Sequence, residues 1–182
     1  EQDSRAGQNS RAQPDLKPVG LCGSAILDLV ALSLESGLIR EDGSLSPVCE
    51  ESGIVLDAGL GILMTGADVR AILLARAAIR AGIAVLLDEA RIGEADVTRV
   101  HLAGGFGYYL KEESALRAGI LPRAFAGKIS RPGNTSLAGA VRSLVDPVFR
   151  DLERAIASRS KLIELARSPS FNGLFVDAMR FD

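Results

Sequence analysis

From Ser24 onward, apolar residues recur at three- and four-residue spacing: Ile26, Leu27, Leu29, Val30, Leu32 and Leu34, with Gly37 just beyond. This pattern predicts a helix over 24–36, stopped by its glycine. The polar stretch 40–52, punctuated by Gly43 and Pro47, reads as a loop. GIVLD (53–57) and GILMT (61–65) are short apolar runs bounded by glycines, which suits two buried strands joined through Ala58, Gly59 and Leu60. Thr65 has Asp68 three residues later, the arrangement of a capping box. Val69, Ile72, Leu73, Ile79, Ile83, Leu86, Leu87 and Ala90 then form one apolar stripe. They predict a helix over 67–91, which at ~1.5 Å per residue spans about 37 Å and can cross a whole sheet. Arg70, Arg80 and Glu89 fall outside that stripe.

The pattern shortens after this helix. TRVHLA (98–103) alternates as a strand with Thr98, Val100 and Leu102 on one face, and it runs straight into Gly104-Gly105-Phe106-Gly107. A short helix is expected over 111–118 and a short strand over 127–130. Pro132-Gly133-Asn134 reads as a turn, with Asn134 capping a helix over 135–145. Asp146-Pro147 and Ser168-Pro169 each carry a cap followed by proline, the signature of a helix start. Lys161 to Leu165 is apolar enough to suggest a final strand. Strands alternate with helices, so the class is α/β. Residues 1–17 lack periodicity and read as a polar tail or linker, leaving 18–182 as one domain. The chain opens on Glu1 rather than methionine, which reads as a piece of something longer.

Composition narrows the picture. Of 182 residues, 47% are hydrophobic but only 4% aromatic, so the core must be aliphatic. A net charge of −2, with arginines dispersed among acids, gives no footprint for nucleic acid. No apolar run reaches the roughly 20 residues of a membrane helix. Residues 1–18 contain no apolar signal-peptide core, which points to the cytoplasm. Cys22 and Cys49 form no CxxC pair, and His101 alone cannot complete a zinc site. Both cysteines are expected as free, partly buried thiols, and two are too few for an iron–sulphur cluster.

The strand–glycine–helix unit at 98–110 is the most informative local feature. Gly104 and Gly105 present no Cβ, so a ligand can approach the backbone closely, at the strand end where ligands of open α/β sheets bind. A nucleotide base or ribose would fit such a floor, and a tight turn needing positive φ would equally explain the glycines. No GxxxxGK[ST] occurs, and Gly105-Phe106-Gly107 lacks the third glycine of the dinucleotide fingerprint. Gly133-Asn134-Thr135-Ser136 opens another helix, where Asn134 and Ser136 can border a ligand or Asn134 can simply cap. Gly20 to Ser24 (GLCGS) is a further glycine turn, read first as an entry into its helix. His101 faces away from Val100 and Leu102 and reads as a hydrogen-bonded structural residue. Asp57 and Asp68 are explained by a strand end and a helix cap.

Taken in order, several segments resemble one family: PVGLCGSAILDLVA (18–31), MTGADVRAILLARAAIRAGIAVLL (64–87), VHLAGGFGYYL (100–110), ALRAGILP (115–122), GNTSLAGA (133–140) and IELARSPSFNGLFVDAMRF (163–181). It is the C-terminal portion of proteins that reductively activate corrinoid proteins, ferredoxin-like proteins with a C-terminal domain of unknown function. Ala25 departs from the family's second glycine after Gly-Ser. The family's N-terminal two-iron two-sulphur domain and the upstream Asp-Gly-Thr turns have no counterpart here. The resemblance implies a ribonuclease-H-like lobe of the acetate-kinase, heat-shock-chaperone and actin superfamily, with a mixed sheet flanked by helices. It implies ATP with Mg2+ as the complete protein's ligand and a corrinoid protein or corrinoid-dependent methyltransferase as partner, with a homodimer also open. Carried over by position, Gly104, Gly105, Phe106 and Gly107 match the adenosine-side glycine motif, and Asn134 and Ser136 border the same cleft. No catalytic or metal residue falls on this chain, which is therefore expected to be inactive alone. A non-catalytic docking or dimerisation module and a lobe of a small-molecule kinase are the alternative readings.

Overall fold

A computed structural model describes residues 17–181; the expected polar tail lies outside the described residues except for Lys17. Helix α1 (Gly23–Glu35) buries Leu27, Val30, Ala31 and Ser33. It ends as its sequence predicts. Gly37 takes φ +70°, and the amides of Gly37 and Leu38 donate to the carbonyls of Leu34 and Ser33 at 3.2 and 2.8 Å. That pair of bonds is the Schellman closure, which satisfies carbonyls the helix end leaves open.

Strands β1 (Ile54–Asp57) and β2 (Ile62–Met64) pair antiparallel, with Ile54 opposite Met64 and Val55 opposite Leu63. Asp57 accepts a 2.9 Å bond from the Leu60 amide and so shapes the connecting turn. Helix α2 (Gly66–Ala90) follows, its start fixed by the expected capping box: the Asp68 amide donates to Thr65 Oγ1 at 3.2 Å, and the Thr65 amide donates to Asp68 Oδ2 at 2.8 Å.

The buried face of α2 differs from the expected stripe. Val69, Leu73, Arg76, Ala77, Ala81, Gly82 and Val85 are inside, while Ile79 and Leu86 are 44% and 50% exposed. The reason is Arg76, the one arginine this helix buries. Its Nε donates to the Ala118 carbonyl at 3.1 Å, and Nη1 donates to the carbonyls of Ala178, at 2.6 Å, and Arg180. The guanidinium also lies over the Phe181 ring, 5.6 Å from its centroid. An arginine thus occupies a core position and rotates the stripe around itself. Three carbonyls and an aromatic face replace the water it gives up.

Beyond α2 come β3 (Val100–Ala103), α3 (Gly104–Tyr109), α4 (Glu112–Arg117) and β4 (Ile129–Gly133). The last part of the chain is helical: α5 (Thr135–Val145), α6 (Pro147–Arg159) and α7 (Phe171–Asp177), the last packed on α2. The strand expected over 161–165 does not form. That segment has no strand to pair with, and it passes into a single 3-10 turn at Leu165–Arg167. The core is aliphatic apart from Phe125 and Phe181, joining α1, the 39–64 segment, the first half of α2 and the residues around α4. Among the described residues, no helix is long and apolar enough to cross a membrane.

Candidate functional site

β3 and β4 form a parallel pair, with Val100 opposite Ile129 and His101 opposite Ser130. β4 extends further than the sequence suggests, because Pro132 and Gly133 continue the strand rather than forming a turn. Pro132 lacks an amide proton, and an irregularity beside it gives β4 one residue more than β3 between the paired positions. The extra residue brings Gly133 opposite Ala103. Because the strands are parallel, the two glycine turns that follow them emerge at the same end, side by side.

At that end the backbone is unusual in two matched places. Gly104 has φ +85° and Gly133 φ +79°, both in the left-handed region that favours glycine. A helix starts at once after each: α3 begins at Gly104 itself, so GGFG is a helical start and not only a turn. The remaining site glycines divide by role. A Cβ on Gly105 would meet nothing within 4 Å, so the space above it is open. A Cβ on Gly107 would stand 3.0 Å from the Leu102 carbonyl group; this glycine is buried and lets α3 lie against β3.

Phe106 is 54% exposed, yet one edge of its ring rests over Gly23, where a Cβ would come within 2.8 Å of it. GLCGS at the head of α1 is therefore adjacent to GGFG. Sequence reading took it first as a helix entry and had no local signal for this contact. Tyr108 and Tyr109 stand edge to face with centroids 5.1 Å apart and are both largely exposed. In a chain so poor in aromatics, three exposed rings collect within four residues of the site.

Asn134 caps α5 by accepting the Leu137 amide at 3.0 Å, and Ser136 lies exposed in the first turn. His101 is exposed on β3 and shares a 2.6 Å hydrogen bond with Ser130 Oγ through Nδ1, as expected of a structural histidine. Cys22 and Cys49 are both free thiols, the first exposed and the second buried in the core. Hydrogen bonds from the Ser24 hydroxyl and the Ala25 amide hold the Cys22 thiol below its ordinary pKa. Among the described residues no three of His, Cys, Asp or Glu gather as a metal site.

A polar tie sets the height of the turn. Asp28 on α1 accepts from Lys111 at 2.8 Å and from Ser114 at 2.5 Å. The Lys111 ammonium, then the Ser114 hydroxyl, keep the Asp28 carboxyl below the usual carboxylate range, and Lys111 is raised in turn. The segment leaving α3 is thereby clamped to α1. Sequence reading missed this tie, since 86 residues separate Asp28 from Ser114.

Comparison with known proteins gives the family and the fold. The family described as the C-terminal domain of RACo, the ASKHA domain, matches residues 3–182. A corrinoid activation enzyme, RamQ of Eubacterium limosum, is 30% identical over 176 residues, covering 85% of this chain and 30% of RamQ. Among solved structures, a reductive activator for corrinoid, iron-sulfur protein superposes with a TM-score of 0.78 at 31% identity, covering 90% of this chain and 28% of that one. The chain thus spans under a third of the length of either relative. The fold is actin-like, and the chain belongs to the family of the C-terminal, ASKHA domain of RACo.

Proposed function

We propose that this chain is the C-terminal portion of an ATP-dependent reductive activator of corrinoid proteins and supplies the adenosine side of its nucleotide cleft. The observation that carries the reading is the parallel pair β3–β4, which sets Gly104 and Gly133 next to each other with open space over Gly105. Strand ends of this kind are where ligands enter α/β sheets, and backbone without Cβ atoms lets a flat group come close. The residues present fit that role. Gly104 and Gly105 form the floor, Phe106 and Gly107 fix it to α1 and β3, and Asn134 and Ser136 border it from the head of α5. Bound ATP with Mg2+ would supply the free energy for reduction of the partner corrinoid.

An iron–sulphur cluster is a different matter. Cys22 is exposed and Cys49 is buried in the core, and the described residues gather no further ligands around them, so they do not fit a cluster. The names of both relatives nevertheless point to corrinoid activation, and a cluster would sit in a part of the protein that this chain does not include. A corrinoid protein or corrinoid-dependent methyltransferase is the partner this reading requires. Free thiols suit a reducing compartment, and we place the protein in the cytoplasm.

The test is Gly105→Val in the complete protein, read by calorimetric titration with ATP beside thermal unfolding. A Cβ at this position meets nothing within 4 Å in the fold, and the branched side chain would extend from it into the space above the strand end. Affinity is expected to fall by roughly tenfold, which corresponds to ~1.4 kcal/mol, with the unfolding temperature little changed. Unchanged affinity would mean that Gly105 serves the turn alone.

A further inference from the structure

Helix α3 is poorly able to hold its own position. Three of its six residues are glycine, the weakest helix former after proline. Its N-cap, Ala103, has no side chain that could bond the first amides. Where the glycine turn stands is therefore set by what its two ends are tied to. At one end it continues β3, with Gly107 close against the Leu102 carbonyl group. At the other it passes through Leu110, which is buried in the core, into Lys111 and α4.

Helix α4 packs on α1, with Ala115 and Ala118 buried in the shared core. Apolar burial is non-directional, so these small side chains hold α4 near α1 without fixing its place along it. The polar contacts fix that place. Asp28 accepts from Lys111 Nζ at 2.8 Å and from Ser114 Oγ at 2.5 Å. These two donors stand three residues apart at the head of α4, and attachment at two points sets direction as well as position. Ser114 is buried, so its hydroxyl has exchanged water for this carboxylate. Helix α1 also meets α3 at its own first residue, Gly23, under the Phe106 ring. One helix thus touches the glycine floor at Phe106 and again just past it.

We infer that Asp28 is a positioning residue for nucleotide binding: by seating Lys111 and Ser114 on α1 it sets where the floor of Gly104 to Gly107 stands, and it acts through them rather than on the ligand. The inference rests on the proposed adenosine cleft and adds to it a residue on another helix. Apparent affinity scales with the fraction of molecules whose site is correctly formed. Releasing the tie therefore weakens binding without blocking the cleft. A role through charge alone has the opposite signature at one of the two partners. ATP is an anion, so through its field alone the loss of the Asp28 carboxylate would strengthen binding, and the loss of the Lys111 ammonium would weaken it. Positioning requires both losses to weaken it.

Calorimetric titration of the complete protein with Mg·ATP tests this in wild type, Asp28→Asn, Lys111→Met, Lys111→Arg and the Asp28→Asn/Lys111→Met double variant. Asp28→Asn and Lys111→Met are each expected to lower affinity by roughly two- to fivefold, the scale on which an exposed ion pair shifts an equilibrium. The double variant should lose no more than the larger single loss, since both remove the same tie. Lys111→Arg keeps a cation within reach and should recover most of the affinity. Amide exchange without nucleotide should rise most over 104–111 in Asp28→Asn, above any change at Val30 and Val69. Affinity unchanged or raised in Asp28→Asn would overturn the inference. Weakening confined to Lys111→Met would overturn it too, by assigning the ammonium to the ligand. So would an exchange increase that is uniform along the chain, which would leave Asp28 with stability alone. Failure of the cleft itself looks different: Gly105→Val would then leave ATP affinity untouched, whatever the Asp28 variants do.

Discussion

Replacing Gly119 by alanine probes the anchor around which the fold is organised. Gly119 follows α4 with φ +66°, where any side chain is strained; the left-handed conformation costs about 1–2 kcal/mol for an L-residue. The larger penalty is steric. A methyl at this position would stand 2.5 Å from Arg76 Nε and 2.8 Å from Cζ, far inside contact distance. Arg76 cannot yield cheaply, because it is 1% exposed and donates to the carbonyls of Ala118, Ala178 and Arg180. Bonds from a charged donor are worth ~1.5–3 kcal/mol each. Losing one of them together with the backbone strain makes Gly119→Ala destabilising by about 3–5 kcal/mol, a large part of the ~5–15 kcal/mol that holds a domain folded. Gly127→Ala is the control, with φ +71° and nothing within 4 Å of its Cβ; it should cost the strain alone, ~1–2 kcal/mol. Urea unfolding of both variants gives the difference. Limited proteolysis should find 178–181 cut faster in Gly119→Ala, since Arg76 holds that segment down. If the two variants are equally destabilised, Arg76 is not the anchor described here.

Two further outcomes follow from local geometry. Thr65→Ala removes the side-chain half of the α2 capping box, leaving the amide of residue 65 still able to donate to Asp68, and is expected to cost about 1 kcal/mol in urea unfolding; no change would mean that the N-terminus of α2 is held without the Thr65 hydroxyl. Asp28 is held below its ordinary pKa by Lys111 and Ser114, so its contribution is complete above the unfolded carboxylate value and fades as pH falls through the folded one. Stability of the wild type should therefore decline in acid. Asp28→Asn should be less stable at neutral pH and show a shallower decline, with Asp42 and Asp68, also lowered, keeping some slope; an identical acid profile would mean that the Asp28–Lys111 pair adds nothing to the fold.

The elements whose signals are local were legible in the sequence. Gly37 stops α1, Thr65 and Asp68 start α2, and Val100 and Leu102 alternate with His101 along β3, all as their spacing requires. The failures are long-range. Nothing near Arg76 reveals that its partners lie 42 and 102 residues away, and the apolar spacing alone leaves it out of the face it occupies. Lys161 to Leu165 has the composition of a strand, but a strand needs a neighbour, and periodicity carries no information about neighbours. For the site, local pattern alone offered GGFG and GNTS as separate turns, and only the family resemblance set them at one cleft. That they stand together depends on the parallel register and on the extra residue beside Pro132, which only the paired strands display.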